Sequence, residues 1–163
     1  MTGVRDTPAL SRAALAGLPA TLAMDLGART IVAPALGVRA LGPEDLGRWV
    51  AHMRRGRFRH TEIATAPAVR GEAAIGIATH YAIGLTLGAG YWLLLRAAST
   101  PRSSIPLALA YGTATTVFSW FVMFPAIGKG AFGRRGSPRL AALSLANHVV
   151  YGLALGVATA RIA

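Results

Sequence analysis

Four long apolar stretches alternate with arginine-rich connectors along this chain, near residues 11–36, 73–95, 104–127 and 140–160. Each is long enough to cross ~30 Å of hydrocarbon, which takes about 20 helical residues. The pattern therefore predicts an all-α, integral membrane four-helix bundle, a single domain over residues 1–163. Asp25 and Arg29 interrupt the first stretch. Reading residues 1–28 as a cleaved signal peptide is the alternative there, and it is disfavoured. Asp6 weakens the basic start, and Pro19 and Asp25 sit where an unbroken apolar core is wanted.

Between the first two stretches, the connector over residues 37–72 carries a pattern of its own. In "GPEDLGRWVAHMRRG", Pro43, Glu44 and Asp45 suit a helix's first turn and Gly56 suits its end. Leu46, Trp49, Val50 and Met53 fall on one stripe, with Arg48, His52 and Arg55 on the other faces. The expectation is a short amphipathic helix at the cytoplasmic interface, where Arg48, Trp49, Arg54, Arg55, Arg57, Arg59 and His60 face anionic headgroups. A cap packed across the end of the bundle is the equal alternative. The following "GRFRHTEIATAPAVRGE" reads as an ordered loop.

Composition agrees with a lipid solvent. The 163 residues are 53% hydrophobic and only 14% charged, with mean hydropathy +0.47; soluble domains carry about a quarter charged residues. A net charge of +11 raises nucleic-acid binding, but that needs basic residues spread over one folded polar face. Here they cluster between apolar stretches, so no nucleic-acid partner is expected. Eleven basic residues lie in the first and third connectors, and five lie on the other side. The positive-inside rule then places both connectors in the cytoplasm and both termini outside, in a bacterial inner membrane. No cysteine is present, which excludes thiolate chemistry and disulfides.

The chain also echoes itself. "ATHYAIGLTLG" from Ala78 and "ANHVVYGLALG" from Ala146 share six of eleven positions. Extended at intervals of four, the stripes are Gly76, His80, Gly84, Gly88 and Ser144, His148, Gly152, Gly156. Residues four apart share a helix face, and GxxxG spacing lets backbones approach closely. The second and fourth spans are parallel and are expected to meet along these stripes. "LAGLPAT" from Leu15 and "LAYGTAT" from Leu109 extend the echo, giving two parallel helical hairpins as a hypothesis.

Counting ~1.5 Å per residue puts Asp25, His80, Ser119 and His148 near one depth, with Thr116, Asn147, Tyr81 and Tyr151 nearby. Arg29, four residues after Asp25, is placed to pair with it. Three readings of this polar layer stand open. The residues hold the bundle together through internal bonds; or they relay protons beside a small solute or ion; or His80, His148 and Asp25 hold a divalent metal, or the histidines ligate haem. The absence of any cofactor is the leading expectation. Four short helices leave little room for a pathway within one copy, which admits a homodimer. There is no Walker loop, HExxH, nucleophile elbow or dinucleotide fingerprint, so nothing supports an enzyme.

Taken together, "MDLGART", "GRFRH", "RGEAAIGIATHYAIG", "FVMFPAIGKG" and "LANHVVYG" resemble an uncharacterised family of small bacterial membrane proteins, a domain of unknown function. The resemblance implies a four-span inner-membrane protein with these polar positions characteristic of the group. It supplies no activity, substrate or cofactor.

Overall fold

The computed structural model describes residues 3–98 and 104–160, with side chains in the first helix from Ala9 onward. All regular structure among these residues is helical. Helix α1 comprises Gly3–Gly27, a widened π turn at Ala28–Val32, and Ala33–Leu36. It stops at Gly37, whose φ of 59° is the left-handed cap glycine takes without strain. Helix α2 spans Pro43–Met53, with Glu44 and Asp45 in its first turn. Helix α3 spans Glu72–Ala97, opening on an acid and closing on Arg96, the order the helix dipole favours. Helix α4 covers Ile105–Ala126; the Ser104 hydroxyl caps its start by accepting from the Leu107 N–H. Helix α5 is Arg139–Ala160.

Proline explains a shared irregularity of α1 and α4. Each carries one π turn, Ala28–Val32 and Ser119–Met123, followed two residues later by Pro34 or Pro125. A proline lacks the N–H its turn needs and crowds the carbonyl four residues back. One extra residue in the preceding turn relieves both, and the helix continues.

Helix α1 is flanked by α3 and α5, α5 also runs along α4, and α2 lies along α3. The long helices share a core of Ala16, Ala20, Tyr91, Ala108, Tyr151 and Leu155. A second core at the connector end joins Trp49 and Ile63 to Phe124, Ile127 and Leu140. Meanwhile Leu15, Leu22, Leu26, Ile77, Leu93, Val117, Phe121 and Leu153 point outward. Large apolar side chains on the outside of every long helix fit lipid as the surrounding solvent. Three of the helices, α3, α4 and α5, are long and apolar enough to cross a membrane. Helix α1, with Asp25 and Arg29 in its second half, is not among them.

The glycine stripes face other partners than expected. A Cβ on Gly84 would strike the Thr21 side chain, and one on Gly88 the Ala13 carbonyl, so this part of the α3 stripe seats α1. Gly76 instead meets the Pro43 carbonyl of α2. On α5, Gly152 and Gly156 lie against Ala108, Leu109 and Ile105 of α4. Because α1 packs on both α3 and α5, the two stripes are not turned toward each other.

Candidate functional site

Asp25 of α1 and His80 of α3 meet inside the helical layer, Oδ1 to Nε2 at 2.9 Å. Both side chains are half-buried, about 27% and 30% exposed. One helical turn further along α3, a Cβ on Gly17 would collide with the Gly84 carbonyl, so glycine at this crossing is what lets the two backbones close. That approach brings an aspartate and a histidine 55 residues apart into one hydrogen bond. The His80 and Tyr81 rings sit edge to face at 5.9 Å. A carboxylate oxygen accepts, so His80 Nε2 carries the proton of this bond.

His148 of α5 lies one turn before Tyr151, whose hydroxyl donates to the Gly84 carbonyl of α3 at 2.9 Å. His148 Nδ1 lies 2.7 Å from the Ser144 carbonyl. A carbonyl only accepts, which fixes the proton on Nδ1 and leaves Nε2 with a free lone pair when the ring is neutral. Ser119 is buried within the π turn of α4. Two polar atoms on α4 and α5, Thr116 Oγ1 and Asn147 Oδ1, are buried with no hydrogen-bond partner among the described residues. Each costs about 1–3 kcal/mol if left so.

Arg29 does not pair with Asp25. Arg29 lies within the π turn of α1 and is exposed. It lines an open groove of about 750 Å³ with Pro34, Arg39, Leu41 and Glu44. No three His, Asp or Glu side chains among the described residues are grouped as a metal would need. Asp25, His80 and His148 therefore do not assemble into the ligand set that their shared depth suggested.

The connector end holds a second polar cluster. Arg48, expected on an outward face of α2, is buried and clamps Glu72 at the start of α3. Nε donates to Oε2 at 2.9 Å and Nη2 to Oε1 at 2.6 Å. Its Nη1 donates to the carbonyls of Ile63 and Ala64 at 3.0 Å and of Ala66 at 3.3 Å. Such a fork satisfies a planar guanidinium on every side. His52 and His60 are buried beside it, rings stacked and Nδ1 to Nε2 at 2.8 Å. His60 Nδ1 has no partner. We assign the shared proton to His60 Nε2, since an unpartnered lone pair is cheaper to bury than an unpartnered N–H. Burial, then His52 and Arg57, push the His60 imidazole below its ordinary value. Lys129 donates to both oxygens of Glu62, at 2.8 and 2.9 Å, and holds that carboxyl below the usual range. Trp49 is buried as well, while Arg54, Arg55, Arg57 and Arg59 stay exposed.

Residues 14–162 match a family described as "Protein of unknown function (DUF2938)". The chain belongs to that family. No curated protein and no solved structure matches it. The match spans α2 to α5 and α1 from Ala14 onward, so both polar clusters lie within the matched region.

The Arg48–Glu72 clamp and the His52–His60 stack were the residues that periodicity misplaced. An amphipathic stripe says which side of a helix is apolar, not whether the polar side meets water or a buried acid. One signal was available: Glu72 is a lone carboxylate between "TAPAVRG" and a long apolar run, a place where a buried partner is needed.

Proposed function

We propose that this chain is a four-span protein of the bacterial inner membrane, with both arginine-rich connectors cytoplasmic and both termini outside. In this reading α1 crosses with the three apolar helices as part of a four-helix bundle, its Asp25 sheltered against His80. The four helices form two parallel hairpins, α1–α3 and α4–α5. Close glycine crossings at Gly17–Gly84 and Gly112–Gly152 and the matching π turns support that pairing.

The Asp25–His80 pair is the proton-binding centre of this protein, and it serves proton-linked passage of a small solute or ion. The observation that carries the reading is the 2.9 Å bond between two titratable side chains on different helices, within a layer whose outer faces are apolar. Such groups are expensive in a membrane and mark substrate or proton paths. His148 offers the next basic nitrogen, and Thr116 and Asn147 offer polar atoms without protein partners.

The test is proton flux into liposomes holding a pH-sensitive dye and the purified protein, under an imposed solute or ion gradient. Asp25→Asn is expected to bring flux to background while helix content and melting temperature stay near the native values. Unchanged flux would sink the proposal. Loss of melting temperature with flux preserved per folded molecule would assign the pair to holding the helices together.

A further inference from the structure

The segment from Arg54 to Arg59, "RRGRFR", is the most basic surface of the described chain, and it is built rather than loose. Gly56 takes a φ of 73°, and the N–H groups of Arg55, Gly56 and Arg57 donate back to the carbonyls of His52, Met53 and His52. Trp49 Nε1 donates to the Phe58 carbonyl at 3.0 Å, and the His60 N–H to Ala126 at 2.8 Å, so both ends are tied to the core. Presented outward on this frame are four exposed arginines and Phe58, which is 59% exposed.

The acids at this end are already engaged. Glu72 is taken by Arg48, Glu62 by Lys129, Glu44 faces Arg39, and Asp45 accepts from the Gly42 N–H. No carboxylate among the described residues pairs with Arg54, Arg55, Arg57 or Arg59. Height matters equally. Pro43 lies against Gly76 and Gly47 against the Glu72 carbonyl, so α2 starts beside the first turn of α3 and runs antiparallel to it, toward the starting end of that helix. Outward-facing Ile77 begins one turn deeper. The loop that follows α2 comes back to the ends of the apolar helices, where the His60 N–H meets the Ala126 carbonyl at the close of α4.

We propose that this loop is an anionic-lipid anchor: headgroup phosphates sit on the guanidinium groups of Arg54, Arg55, Arg57 and Arg59, and the Phe58 ring inserts at the acyl boundary. Arginine forks match phosphate oxygens. Each basic side chain near an anionic leaflet is worth roughly a fivefold gain in association. A phenylalanine ring beside basic side chains buries itself at the boundary between headgroups and acyl chains. Phe58 argues for lipid over free phosphate, which has no use for an exposed apolar ring. The proposal rests on the membrane placement above and uses none of the Asp25–His80 chemistry.

The chain has no cysteine, so Phe58→Cys carrying an environment-sensitive fluorophore reports on this position alone. In nanodiscs containing phosphatidylglycerol, the label is expected to shift to the blue, be quenched by lipids spin-labelled near the headgroup, and resist aqueous iodide. In phosphatidylcholine discs these effects shrink. They vanish when the four arginines become glutamine. For the chain with native Phe58, phosphatidylglycerol added in detergent should raise the melting temperature over phosphatidylcholine, and this comparison decides the matter if the glutamine variant fails to fold. Equal iodide quenching in both lipids, or a blue shift reproduced by soluble glycerol phosphate, would overturn the anchor. A second label at Ile77→Cys separates the two readings: lipid quenching there with iodide access at position 58 rejects the anchor alone.

Discussion

At the residue scale, Arg48 carries five hydrogen bonds across three segments: α2 supplies it, Ile63 to Ala66 supply carbonyls, and Glu72 supplies the carboxylate. Removing one member of a buried ion pair strands the other charge, at about 3–5 kcal/mol. Arg48→Ala is therefore expected to lower the melting temperature sharply, read by fluorescence in detergent. Arg48→Met with Glu72→Leu should recover most of that loss, because no lone charge remains. His60 makes a pH prediction. Its folded value lies below the ordinary 6.5, so below that pH the unfolded chain takes up a proton that the folded ring refuses. Stability is full above pH 6.5, falls as pH drops through it, and levels off once the folded ring protonates. Melting curves from mildly alkaline to mildly acidic pH should show this slope, and His60→Gln should flatten it.

At the element scale, glycines set the distances between helices. Gly84 admits α1, and Gly112 and Gly152 admit each other's helices, so in each case a Cβ would strike backbone or a buried side chain. Gly84→Leu is expected to cost about 1–3 kcal/mol by overpacking and to part α1 from α3. The Asp25–His80 bond, one turn away, would then open. Hydrogen exchange of the α1 amides, read by mass spectrometry in detergent, should quicken in this variant relative to the native chain. The stripes themselves were legible, because spacing by four is written along the chain. Their partners were not, since a glycine face says that something approaches closely without saying which helix. The connector helix shows the same limit: its bounds follow from Pro43 and Gly56, yet the destination of Arg48 depended on Glu72, 24 residues away.

At the scale of the whole molecule, the ends of α1, α3, α4 and α5 that bear the two connectors gather eleven basic residues, with Arg48 and Lys129 neutralised inside the fold. Topology is testable through the same absence of cysteine. Membrane-impermeant thiol reagents should reach Thr65→Cys and Ser137→Cys only in inverted vesicles, and Ala98→Cys only in intact spheroplasts. Labelling in the reverse sense would invert the proposed orientation, and with it the direction of any proton path.

What the sequence determined alone was the elements and their character: long apolar runs, sparse charge and proline or glycine at the ends write helices, three of them long and apolar enough to cross a membrane, because those signals are local. The loss of the Asp25–Arg29 pair and the choice of His80 as the partner of Asp25 were decided only by tertiary structure. Each depends on which backbone lies alongside. That is settled by the summed fit of glycine faces on α1, α3, α4 and α5, a quantity no single stretch of chain contains.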